Sequence, residues 1–178
     1  APLSFEGFMG WANKNIVFHD RNRITPFRPS PKQEEFYRNV FELKEHGILK
    51  HMFNYICRPR GDYKTFDMAV IVLFRFFNLP EQTIYVVTNS VQQTKCLVYR
   101  EIHNLIKKSP TLGPLRYTPA LDISTDGIYL RSGRGVENIF SSIEIVSAEG
   151  GARSNADCIA WSEMWEFKGK EVEIVKLK

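Results

Sequence analysis

Tyr55-Ile56-Cys57-Arg58-Pro59-Arg60-Gly61-Asp62-Tyr63-Lys64-Thr65 is the stretch on which the reading of this chain turns. It runs from an apolar segment through a turn with Pro and Gly into Lys-Thr, which opens an apolar helical pattern. Such an order suits a phosphate-binding loop between a strand and a helix. The lysine brings a point charge for phosphates, and the threonine hydroxyl can hold Mg²⁺. The glycines of the pattern G-x-x-x-x-G-K-(S/T) are largely replaced, with Arg58 and Tyr63 at the two glycine positions. Three cations (Arg58, Arg60, Lys64), Gly61, Asp62 and the amides at a helix start remain as phosphate-facing groups.

Around this loop the chain reads as one α/β unit. Residues 1–30 are aromatic, basic and broken by proline, and read as an arm or irregular lead-in. Ser30 can cap a helix that begins at Pro31, with Glu34 and Glu35 at the positive end of its dipole. Phe36, Val40 and Leu43 mark its apolar face, and Gly47 ends it. His51–Cys57 reads as a buried strand, and Lys64–Phe77 as a helix that is apolar nearly all round. Thr83–Thr88 is a β-branched strand and Val91–Lys108 an amphipathic helix. Short strands are expected over 117–123, 128–131 and 143–147, with turns at Asp126-Gly127 and Ser132-Gly133. Cys158–Trp161 is a last apolar strand, followed by Ser162-Glu163. This alternation implies a largely parallel central sheet flanked by helices, with ligands beyond the carboxyl ends of the strands.

Bulk properties are compatible with that picture. At 178 residues, 43% hydrophobic and 13% aromatic, the chain can bury a core and does not resemble a disordered tail. A net charge of +4 allows a polyanionic partner without requiring one. Cys57, Cys96 and Cys158 have no metal-like spacing and read as reduced core thiols. The longest apolar run, Met68–Phe74, stops at Arg75, well short of the roughly 20 residues that span a bilayer. No secretory leader is visible.

Three further segments gain meaning from their order. Phe27-Arg28-Pro29-Ser30-Pro31-Lys32-Gln33 lies one helix and one turn before the loop, and a glutamine can pair with an adenine edge. Val87-Thr88-Asn89-Ser90-Val91-Gln92-Gln93-Thr94 ends a strand in polar residues that open a helix. Cys158-Ile159-Ala160-Trp161-Ser162-Glu163 ends a strand at an acid that can activate water. Each alone is an ordinary surface glutamine, helix cap or Ser-Glu turn.

Taken in succession, they resemble the ATPase half of tailed-phage terminase large subunits, over roughly Phe27 to Lys170. In that family the loop often reads Pro-Arg-Gly-x-Gly-Lys-(Ser/Thr), which Pro59–Thr65 follows except at Tyr63. A Tyr-Val-Val-Ala-x-Ser-x-x-Gln-Ala-like stretch is matched by Tyr85–Thr94, and Asp-Glu-x-(His/Trp) by Ser162-Glu163-Met164-Trp165. The resemblance implies an ATP- and Mg²⁺-dependent motor of P-loop NTPase (ASCE/RecA-like) fold, over residues 31–178. Such subunits drive double-stranded DNA into a procapsid, as a homo-oligomeric ring on the portal protein with a small terminase subunit. The setting would be the cytoplasm of an infected host cell, with no membrane partner.

Carried over by position, Lys64 and Thr65 would hold phosphates and Mg²⁺, Arg60 would be the loop arginine, and Gln33 would sense adenine. Glu163 would be the catalytic base, and Arg100, Arg131 or Arg134 could be the arginine a neighbouring subunit supplies. Ser162 stands where the family has its metal-binding Asp, so Asp62 or Asp157 could substitute. Tyr63 and Ser162 together imply weak nucleotide binding or slow turnover. Fifteen residues follow Glu163. The coupling motif and nuclease domain of the family do not fit in them, so a fragment of a longer protein is expected. A helicase-related ATPase and a degenerate P-loop module for DNA binding or assembly are the other two readings.

Overall fold

The computed structural model describes residues 2–20, 23–54, 56–59, 61–88, 95–131, 139–147 and 156–161. Near the N-terminus, helix α1 (Phe5–Asn15) is started by the Ser4 hydroxyl, which accepts the Gly7 N–H at 3.1 Å. A hairpin follows, pairing β1 (Val17–Asp20) antiparallel with β2 (Arg23–Pro26). Helix α2 (Pro31–Val40) has the cap its sequence announces. The Ser30 hydroxyl accepts the Gln33 N–H, while the Gln33 side-chain Oε1 accepts the Ser30 N–H at 3.0 Å.

Helix α3 (Lys64–Asn78) is the longest helix described, at 15 residues. Phe66, Ala69, Val70, Val72, Leu73, Phe74 and Phe76 are all buried, so it is packed on more than one side. A connection of four residues leads from it into β3 (Thr83–Thr88). Beyond a π-helical turn at Lys95–Tyr99 come α4 (Arg100–Lys108), a 3₁₀ turn at Gly113–Tyr117, β4 (Leu121–Ile123), β5 (Gly127–Arg131), β6 (Ile139–Ser147) and β7 (Cys158–Trp161).

Five of these strands form one sheet in the order β4-β5-β6-β3-β7. β3 pairs parallel with both β6 and β7, in register Ile84↔Ile143 and Ile84↔Cys158. β5 pairs antiparallel with β4 and β6. The sheet is therefore mixed, where the alternating pattern led to an expectation of a largely parallel one. The cause is local. The Ser124 hydroxyl accepts the Asp126 and Gly127 N–H groups in a tight hairpin. A connection this short can only join antiparallel neighbours. Gly127 also lets β5 close on β6, because a Cβ there would stand 2.8 Å from the Ile143 carbonyl oxygen.

Several segments differ from expectation. The lead-in carries α1 and the β1–β2 hairpin, and Phe8, Trp11, Ala12, Ile16 and Phe27 belong to the main core. Phe8 packs within 4.6 Å of Tyr37, 4.7 Å of Phe41 and 5.4 Å of Phe74. Its anchoring contacts come from α2 and α3, far along the chain, so local sequence did not disclose them. Helix α2 stops at Val40, because Phe41 turns into the core and Leu43 bridges to Leu49 instead.

No strand forms over the described part of 51–57. His51–Asn54 is exposed, with Met52 and Phe53 at 84% and 77%. β-prone residues make a strand only where a neighbour takes their backbone bonds, and no described strand pairs with this segment. Cys57 is accordingly exposed rather than a core thiol, whereas Cys158 is half-buried and burial pushes its thiol pKa up. The 117–123 strand shortens to Leu121–Ile123, since the 3₁₀ turn occupies its start. Of the expected Val91–Lys108 helix, Val91–Thr94 lies outside the described residues. No helix among those described is long and apolar enough to cross a membrane.

Two outcomes follow from this packing. Phe8→Ala should lower unfolding stability by about 3–5 kcal/mol in a single urea transition that tryptophan fluorescence and far-UV circular dichroism report together. Separate transitions would mean that α1 is an arm independent of the sheet. His103, on α4, has its pKa lowered first by burial and then by Arg116 and Lys107. The unfolded chain thus takes up its proton more readily. Stability should fall as pH drops through and below the ordinary histidine value of about 6.5. His103→Gln should flatten that slope in urea midpoints measured across the range.

Candidate functional site: the turn before α3

The turn into α3 is built on two left-handed residues. Gly61 has φ +88°, which glycine adopts without cost. Tyr63, the residue before the helix, has φ +51° and ψ +15°. This is the position at which the phosphate-loop pattern places its second glycine. Tyr63 is left-handed here, but no strand leads into the turn among the described residues, so the expected strand–loop–helix layout of a phosphate-binding loop is not shown. The Tyr63 ring is 61% exposed and leans edge-on toward Phe66, at 6.3 Å between centroids. Asp62 N–H donates to the Pro59 carbonyl at 3.3 Å, and Asp67 N–H donates to the Tyr63 carbonyl at 2.9 Å, which closes the first helical turn. Helix geometry leaves the Thr65 and Phe66 amides without an intrahelical acceptor, on the positive end of a 15-residue dipole.

Directly below the turn lies a buried polar cluster. Asp67 has no solvent exposure. Its Oδ2 accepts from Arg58 Nη1 at 2.6 Å, and its Oδ1 accepts from Gln33 Nε2 and from the Tyr37 hydroxyl, each at 2.6 Å. The Arg58 side chain is only 13% exposed and also lies over the Phe36 ring, 5.4 Å from its centroid. Burial, reinforced by the neighbouring Asp67 carboxylate, pushes the Tyr37 hydroxyl far above its ordinary pKa, so it stays a donor. A buried ion pair is costly to desolvate, and breaking it from one side costs about 3–5 kcal/mol. Three donors on one carboxylate therefore fasten the Arg58 turn to α2 and α3.

The expected phosphate and adenine ligands take definite places. Lys64 Nζ donates to the Arg58 carbonyl at 2.6 Å, inside the turn. Thr65 is half-buried at the helix start. Gln33 is 8% exposed, with its amide turned to Asp67 and Ser30 rather than outward. Asp62 is half-buried in the turn. Asp157 lies at the other end of the sheet, where its carboxylate accepts the Thr83 N–H at 2.8 Å at the start of β3. Arg100 is exposed at the start of α4. Arg131, on β5, pairs with Asp122 at 2.9 Å. Arg60, Arg134, Ser162, Glu163 and the stretch Asn89–Thr94 lie outside the described residues. No cluster of three or more His, Cys, Asp and Glu side chains among the described residues could hold a metal ion.

Topology brings the turn and the strand ends together. β3, β6 and β7 run parallel and finish at Thr88, Ser147 and Trp161 on one sheet edge. Because α3 leads into β3 through only four residues, it packs back against the sheet. Its N-terminus therefore returns to that same edge.

Asp67 and Tyr37 were not singled out from sequence. Asp67 was the legible one, as the lone charge in the apolar run Phe66–Phe74. Tyr37 stands four residues after Gln33, on the same face of α2, but nothing local marks it as polar-bonded. Comparisons of the chain with protein-family models, curated proteins and solved structures give no match.

Tyr63→Gly tests the turn. A left-handed non-glycine residue costs about 1–2 kcal/mol, and glycine's added unfolded-state freedom offsets about 0.4–1 kcal/mol of its removal. The variant should be neutral to about 1.5 kcal/mol more stable in chemical denaturation. A clear loss of stability would contradict the left-handed conformation.

Proposed function

We propose that this chain is the ATPase domain of a DNA-packaging motor of the terminase large-subunit type. The observation that carries the reading is the placement of Lys64-Thr65. They open the longest described helix, directly after a positive-φ residue, at the sheet edge where parallel strands β3 and β7 end. That is where open α/β sheets bind ligands. The chain continues from β7 into Ser162-Glu163, and the ordered succession of Gln33, the loop, Tyr85–Thr94 and Ser162-Glu163 supports the same assignment. On this reading the finer fold is a P-loop NTPase whose remaining strands belong to a longer protein.

The residues that would hold ATP are Lys64 and the Thr65 and Phe66 amides on its phosphates, with the Thr65 hydroxyl toward Mg²⁺. Bound ATP would supply the phosphoanhydride whose hydrolysis drives DNA movement. Glu163 would serve as general base toward water, Arg60 as the loop arginine, and Arg100, Arg131 or Arg134 as the arginine given to a neighbouring subunit. Ser162 brings no charge to the metal. Double-stranded DNA, the portal protein and the small terminase subunit would be the partners, in a ring assembled in the infected cell's cytoplasm.

A second reading, a P-loop-derived DNA-binding or assembly module without efficient hydrolysis, is favoured by one specific observation. Lys64 is engaged with the Arg58 carbonyl in a turn that contains Tyr63 in place of glycine. Phosphate release assays on the longer protein, with DNA and portal present, decide between the two. The motor reading expects DNA-stimulated turnover that falls at least about 100-fold in Lys64→Ala and in Glu163→Gln. Background turnover unchanged by either substitution, with DNA binding retained, would establish the module.

A further inference from the structure

We infer that Asp67 is the positioning residue of the nucleotide loop: by gripping Arg58 it sets the turn that presents Lys64 and the α3 amides to an anionic ligand. This role rests on the nucleotide reading above and adds a residue that the motif pattern does not contain. Asp67 lies three positions beyond Lys64, on the buried side of the helix, and has no exposure. It cannot meet a ligand itself. Its reach to the ligand passes through Arg58, which it holds at 2.6 Å and whose own carbonyl receives the Lys64 ammonium at 2.6 Å. Gln33 and Tyr37 hold the carboxylate from α2, so the turn is referred to two helices at once.

Tyr63 explains why such a grip is needed. A loop with glycine before its lysine adopts the left-handed turn freely, whereas tyrosine resists it. An external tie that over-determines the turn is what allows a strained residue to persist. Without the tie, ligand binding would itself have to order residues 58–63, which weakens affinity.

The test combines calorimetric titration of the full chain with MgATP and deuterium exchange over residues 56–64. Asp67→Asn should weaken MgATP binding about tenfold, the scale of one charge-assisted hydrogen bond, and should speed exchange in the turn. Arg58→Lys, which keeps a cation beside Asp67 and spares the fold, should give a smaller change in the same two readouts. The double variant should be no worse than Asp67→Asn, since both act through one contact. Ile106→Val, a gentle trimming of a buried α4 residue remote in sequence from the turn, should lower thermal stability and move neither readout.

Unchanged exchange and affinity in Asp67→Asn, in a wild-type chain that binds MgATP, would overturn the positioning role alone. Tighter binding would overturn it too, by showing that Asp67 competes with phosphate for Arg58. Faster exchange in Asp67→Asn, with no MgATP binding by the unsubstituted chain, would instead overturn the nucleotide reading and this role with it.

Discussion

The Asp67 carboxylate is the constraint on which the N-terminal half of this molecule depends. It is a full charge with no solvent exposure, and only its three donors make it tolerable there. Each donor comes from a different place: Gln33 and Tyr37 from successive turns of α2, Arg58 from the segment entering α3. Because the carboxylate must be satisfied, these three pieces have one mutual arrangement. Apolar packing alone would permit several. Phe8, Phe27, Phe41, Phe66 and Phe74 then fill the space around that polar centre.

The sheet is organised differently. In its parallel half, β6-β3-β7, the central strand β3 is β-branched and buried through Ile84–Val87, whereas the outer strand β7 buries only Ala160. Its antiparallel half is added by hairpins, with Tyr99 donating its hydroxyl toward the Ser124 and Gly127 carbonyls at the β4–β5 turn. Burial is the main reason that hydroxyl's pKa rises to about 12. The parallel strands of the mixed sheet are thus β6, β3 and β7, and α3 is the helix that leads directly into the central one of these. Fold and candidate site are linked through that single helix, since its buried face holds Asp67 and its half-buried start holds Lys64 and Thr65.

Much of the architecture was legible in the sequence. Ser30 and Gln33 announced the cap of α2, the apolar run announced α3, and Thr83–Thr88 and Cys158–Trp161 announced two of the parallel strands. For the turn before α3, the sequence placed the helix start at Lys64, whereas the strand expected to lead into it does not form among the described residues. Other readings failed where periodicity is silent. His51–Cys57 has strand-like residues, but strand formation depends on a partner edge, which no local pattern contains. Gln33 carries the right amide for an adenine edge, yet its orientation is decided by Asp67, which is 34 residues away.

By itself, then, the sequence determined the local elements: caps, the apolar faces of helices, hairpin turns and the order in which the motifs arrive. These depend on interactions within a few residues, whose energetics are written in neighbouring side chains. Only the tertiary structure decided the direction of the sheet's outer strands, the entry of the N-terminal aromatic residues into the core, and the commitment of Arg58, Gln33 and Tyr37 to one buried carboxylate. Those outcomes depend on which distant groups meet once water is excluded. A buried charge accepts whatever donors the fold brings to it, however far apart they lie in the chain.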